Sequence, residues 1–119
     1  MTEATAKKTA AKRAPRKPDP VTKILGEVRA EMEFVGHGTP LWGGNMPEQS
    51  PRYYAAKAAN WLDIDLERCL KDRPGWDSRL IHSTFWAFAD ADPAKARERL
   101  LTVAAAAVAA IETIDRGPA

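Results

Sequence analysis

From Val21 onward the apolar residues recur at intervals of three and four, the period of a helix with one buried face. Val21, Ile24, Leu25, Val28, Met32 and Val35 predict a first helix that begins at Asp19-Pro20, an N-cap followed by proline, and stops at Gly36 and Gly38. Ser50-Pro51 repeats that start. Tyr54, Ala58, Trp61, Leu62, Leu66, Cys69 and Leu70 then form the apolar face of a second helix, closed by Pro74-Gly75. A third is expected from about Asp77 to Ala91, with Leu80, Ile81, Phe85 and Phe88 inward. Asp92-Pro93 opens a fourth, which runs to Arg116 before Gly117-Pro118, about 23 residues or roughly 35 Å long. Its face is Leu100, Val103, Ala104, Ala107, Val108, Ile111 and Ile114, and the alanines allow neighbouring helices to approach closely. No stretch alternates with the period of two that a strand needs. The expected fold is all-α: four helices over residues 19–119 as a single domain.

The pattern fails in two places. Gly36–Ser50 is rich in glycine and proline around Leu41-Trp42-Gly43-Gly44-Asn45-Met46-Pro47, long for a loop in a small domain and a candidate for function. Residues 1–18 contain no large apolar side chain beyond Met1, so alone they are expected to be a disordered arm. That arm carries Lys7, Lys8, Lys12, Arg13, Arg16 and Lys17 against the single acid Glu3. Its balance of +5, in a chain whose total is +2, leaves −3 for the rest. Any attraction to polyanions, nucleic acid among them, therefore belongs to the arm.

With 119 residues, 45% of them hydrophobic and 29% charged, the chain reads as globular. A single cysteine excludes an internal disulfide and a cysteine-built zinc site, and a reducing, cytoplasmic setting is the simplest fit. Cys69 falls in the apolar pattern of the second helix and is expected in the core. The longest apolar run, Leu100 to Ile111, is shorter than the roughly 20 residues a membrane span requires. The basic N-terminus has no apolar stretch behind it, so it is not expected to act as a secretory signal.

Several segments, taken in order, have a familiar look: Ile24-Leu25-Gly26-Glu27-Val28-Arg29-Ala30-Glu31, Trp42-Gly43-Gly44-Asn45, Trp76-Asp77, Ala87-Phe88-Ala89-Asp90-Ala91-Asp92-Pro93, and Leu101-Thr102-Val103-Ala104-Ala105 running on to Ile111-Glu112-Thr113-Ile114-Asp115-Arg116. Together they resemble a group of small actinobacterial and phage proteins similar to MazG, the all-α nucleoside triphosphate pyrophosphohydrolases. The resemblance covers roughly residues 24–116. It implies a helical homo-oligomer that binds Mg²⁺ through an E-E-x-x-E helix and further acids on the next helix. Carboxylates at that spacing share a helical face, and the ion they hold bridges phosphates and activates water.

This chain departs from the pattern where the chemistry lies. Aligned by Asp92-Pro93, the third helix has His82, Ser83 and Trp86 in place of the three acids. Aligned by Ile114-Asp115-Arg116, the fourth has Arg99 in place of another acid, and Thr102 where relatives often carry glutamine. Shifting the third helix by one residue brings in Thr84, Phe85 and Ala87, none of them a Mg²⁺ ligand of the required kind.

Other acids remain. Glu27 and Glu31 lie one turn apart, Asp63, Asp65 and Glu67 cluster on the second helix, and Asp90 and Asp92 end the third. The plainer reading of these is a solvated helix face or, for Asp92, an N-cap; if the chain is active, Glu27, Glu31, Asp90 and Glu98 are the acids to expect at a metal. His82 has no carboxylate three or four residues away, and His37 stands alone in its loop, so both read as structural. Trp42, Trp61, Trp76 and Trp86 fill core or subunit interface on the plainer reading and stack on bases on the other.

Three functions follow. The first is a non-catalytic MazG-like protein, a homo-oligomeric binding or assembly module without cofactor. The second is a divergent Mg²⁺-dependent pyrophosphohydrolase. The third is a structural or nucleic-acid-associated protein working through its basic arm.

Overall fold

Each helix of the chain starts where its local chemistry can satisfy free backbone N–H groups. The computed structural model describes residues 19–38 and 50–118, so the basic arm at 1–18 and most of the glycine-rich loop lie outside the described residues. Helix α1 is Pro20–Glu31, followed by a 3-10 turn at Met32–Phe34; α2 is Pro51–Leu70, α3 is Trp76–Ala87 and α4 is Pro93–Arg116. Asp19 accepts the Thr22 N–H at 2.9 Å and the Thr22 hydroxyl at 2.9 Å, capping α1. Ser50 caps α2 through the Tyr53 N–H, and Asp92 caps α4 through the Ala94 N–H at 3.0 Å. In all three a proline follows, whose missing N–H costs nothing in the first turn.

Helix α3 starts differently. Its N-cap is Gly75, without a side-chain cap, and the first-turn acid Asp77 instead receives the Arg68 guanidinium at 2.6 Å. A β-carbon at Gly75 would stand 2.5 Å from Asp77 Oδ1 and 3.1 Å from Arg68 Nη1, so glycine leaves room for that ion pair.

Helices α1 and α3 are shorter than the sequence pattern predicts, α1 passing into its 3-10 turn at Met32, ahead of Val35. Helix α2 stops at Leu70, ahead of Pro74, because Asp72 turns left-handed at φ 58°. The Arg73 N–H then reaches back to the Arg68 carbonyl at 2.8 Å and the Asp72 N–H to Cys69 at 3.0 Å, which satisfies the terminal carbonyls. Helix α3 ends at Ala87, four residues short of Ala91. Pro93 pushes Asp92 out of helical geometry, to ψ 116°, and the Asp90 carboxylate accepts the Asp92 N–H at 2.8 Å to hold the turn.

The described residues form an all-α, four-helix bundle with no strand. Helix α2 packs on α3, α3 on α4, and α4 on α1, so α3 and α4 are the middle of the row. The contacts are close because the buried residues are small: Ala58, Ser78, Ser83, Ala87, Ala96 and Ala110. Ile24 is the one large residue among the fully buried side chains. The remaining apolar residues of the first helix, Val21, Leu25, Val28, Met32 and Val35, are exposed, since α1 has a single helical neighbour.

Cys69 is a correction. It is exposed and not in the core, because it lies one turn beyond Asp65, which already meets Ser78 in the first turn of α3. No helix of the described residues is long and apolar enough to cross a membrane.

Candidate functional site

The middle pair of helices encloses a cleft in which the sequence-predicted positions meet. His82, Ser83 and Trp86 of α3, and Glu98, Arg99 and Thr102 of α4, line a cavity of about 370 Å³. Their spacing explains the convergence: residues four apart on α3 and one turn apart on α4 share a helical face.

Local bonding holds His82, Trp86, Arg99 and Thr102 in place. The Ala58 carbonyl can only accept, so His82 donates from Nδ1 across 3.0 Å and ties α3 to α2. Its Nε2 remains available on the other side of the ring. Ser83 is buried, and Ser78, one turn and a half earlier, donates at 2.7 Å to Asp65 on α2. Arg99 lies with its guanidinium carbon 3.8 Å from the centroid of the Trp86 ring, and its Nη1 donates at 3.0 Å to the Trp86 carbonyl. Nη2 stands 3.9 Å from Asp90, which Lys95 also approaches at 3.8 Å. Thr102 donates its hydroxyl back to the Glu98 carbonyl within α4.

The cleft thus offers one carboxylate, one guanidinium, one imidazole, two hydroxyls and an indole. A divalent ion of the Mg²⁺ type takes about six oxygen ligands, usually including more than one acid. Among the described residues Glu98 is the single carboxylate on this lining, and Arg99 places a fixed positive charge beside it. Asp90 is occupied by a backbone N–H and two cations. Glu27 and Glu31 are exposed on α1, which touches α4 but not α3. Among the described residues no group of three or more His, Cys, Asp or Glu side chains is placed to hold a metal ion.

The other acid cluster is used locally. Glu67 pairs with Lys71 at 2.9 Å, Asp65 accepts from Ser78, and Asp63 is exposed. The hydrogen bond from Lys71 holds the Glu67 carboxyl below its ordinary range, and the one from Arg68 does the same for Asp77. Of the tryptophans, Trp61 and Trp76 are half-buried, Trp86 is 44% exposed, and Trp42 lies outside the described residues.

Sequence reasoning overlooked what adjoins the cleft. His82 and Trp86 also line a second, more apolar groove of about 350 Å³ with Ala55, Ala58, Ala59 and Leu62 of α2. A third, of about 440 Å³, lies between α1 and α4 and is walled by Val21, Leu25, Leu101, Ala104 and Val108 among others. Ala58 and Leu62 in the one, and Val21, Leu25, Ala104 and Val108 in the other, belong to the faces assigned to burial, whereas Ala55, Ala59 and Leu101 lie outside them.

No protein-family model, curated protein or solved structure matches the chain, and the MazG-like resemblance rests on the residues quoted above.

Proposed function

We propose that this chain is a non-catalytic MazG-like helical protein, acting in the cytoplasm as a homo-oligomeric binding or assembly module. The observation that carries the reading is the α3/α4 cleft, where Trp86 and Arg99 stack on each other beside a single acid, Glu98. A guanidinium held beside that acid repels a divalent cation which the acid would otherwise help to hold. The exposed apolar residues of α1 and α4, Val21, Leu25 and Leu101 among them, support the assembly half of the reading.

Incubating the full chain with the common ribo- and deoxyribonucleoside triphosphates, in Mg²⁺ and then in Mn²⁺, tests it. No pyrophosphate should be released above the protein-free rate. Clear release would overturn the reading in favour of the divergent pyrophosphohydrolase, with Glu27, Glu31, Asp90 and Glu98 the first residues to substitute.

The concentration of six cations in residues 1–18 favours a second reading, in which the arm carries the protein onto nucleic acid or an assembly partner. On that reading, deleting residues 1–18 abolishes salt-sensitive binding to a labelled duplex, and unchanged binding removes it.

A further inference from the structure

The apolar arc of α2 is wider than α3 can cover. Tyr54 packs on Phe85 and Phe88, Ala58 accepts from His82, and Asp65 accepts from Ser78, which defines the face turned to α3. About 80° further round the helix, Ala55, Ala59, Leu62, Leu66 and Cys69 form a second stripe. Among the described residues α2 packs on α3 alone. Leu62 and Leu66 keep 37% and 52% of their surface, and Ala59 is exposed. The stripe is no flat surface, because its N-terminal half forms a wall of the 350 Å³ groove with His82 and Trp86.

The five residues alternate steps of four and three, a mean of 3.5, which is the repeat of a helix paired lengthwise with another helix. Size and charge both select the partner. The small residues Ala55 and Ala59 precede the large ones, Leu62 and Leu66. An antiparallel second α2 puts Ala59 opposite Leu62 of the other copy and Leu66 opposite its Ala55, so each leucine meets an alanine. A parallel pairing would set leucine on leucine and leave alanine facing alanine. Of the charged residues on α2, Arg52 in the first half and Asp63 in the second flank the stripe, whereas Asp65 meets Ser78, Glu67 meets Lys71 and Lys57 lies across the helix. Antiparallel pairing brings these unlike halves together, and a parallel one would oppose like to like.

We propose that a second copy of this chain docks on the Ala55–Cys69 stripe, α2 antiparallel to α2 about a two-fold axis. The inference rests on the oligomeric reading above and names its surface.

Sedimentation of the full chain at micromolar concentration should give a dimer. Ala59→Lys alone and Leu62→Glu alone should each weaken it by about tenfold or more while leaving the helical circular dichroism intact, since both sites are exposed. Mixing the two variants should recover association to near the level of the unmodified chain. In the antiparallel pair the introduced ammonium and carboxylate face each other, and the remaining layer is native.

Several results would overturn the proposal. A mixture that binds no better than either variant removes the antiparallel arrangement. A dimer indifferent to both substitutions removes the stripe and leaves the oligomeric reading standing. A monomeric unmodified chain removes both, and in that monomer a lower melting temperature for Leu62→Glu would assign the stripe to another part of the same chain.

Discussion

Arg99 and Trp86 hold each other twice: the guanidinium carbon lies 3.8 Å from the indole centroid, and Nη1 donates at 3.0 Å to the carbonyl of the same tryptophan. One residue comes from α4 and the other from α3, so the pair clamps the two central helices together. A double substitution cycle with Arg99→Met and Trp86→Leu should show coupling of about 0.5–1 kcal/mol in thermal or urea unfolding, the size of a partly exposed cation–π contact, because the hydrogen bond to the Trp86 carbonyl survives Trp86→Leu. Additive effects would mean that the stacking contributes nothing to stability.

The buried Ser78 joins α3 to α2 through a 2.7 Å hydrogen bond to Asp65. Ser78→Ala should cost about 1–2 kcal/mol, because it leaves a half-buried carboxylate oxygen without its donor. Asp65→Asn, which keeps an acceptor, should cost less. The order of the two denaturation midpoints is the check.

Helix ends offer one loss and one gain. Asp92→Ala removes the acceptor for the Ala94 N–H and should cost about 1 kcal/mol. Asp72 sits at φ 58°, where a side chain is strained, so Asp72→Gly should hold stability or raise it by about 0.5 kcal/mol. Asp72→Val, branched at the β-carbon, should lower the melting temperature clearly.

Acid should weaken the fold through three carboxyls. Asp19 is depressed by the Thr22 N–H, Glu67 by its hydrogen bond from Lys71, and Asp77 by its hydrogen bond from Arg68. A depressed carboxyl adds stability above its unfolded value and loses it as the pH falls through its lower folded value. From ordinary values of 4.5 for the glutamate and 3.8 for the aspartates, the melting temperature should be level near neutrality and decline below about pH 4.5. Asp77→Asn should flatten part of that decline. An identical acid profile for this variant would show that the Arg68 contact leaves the folded carboxyl unperturbed.

The starts of α1, α2 and α4 were legible because capping is local: an acceptor side chain and a following proline specify a helix start within four residues. The ends of α2 and α3 were less so. They depend on Asp72 adopting a left-handed conformation and on Asp90 bonding the Asp92 backbone, and neither has a strong sequence mark. The positions His82, Ser83, Trp86 and Arg99 were identified through the resemblance, but their stacking, and the tie from His82 to the Ala58 carbonyl, were not.

The sequence by itself determined that these segments are helices, where three of them begin, and that the arm carries the positive charge. Those properties follow from neighbours along the chain. Which apolar residues are covered was decided only by the tertiary arrangement. An amphipathic period says that a face prefers burial, but not how many helices will come to cover it. Among the described residues α1 packs on α4 as its one helical neighbour and α2 on α3, so Leu25, Leu66 and Cys69 are left exposed although their pattern reads as core.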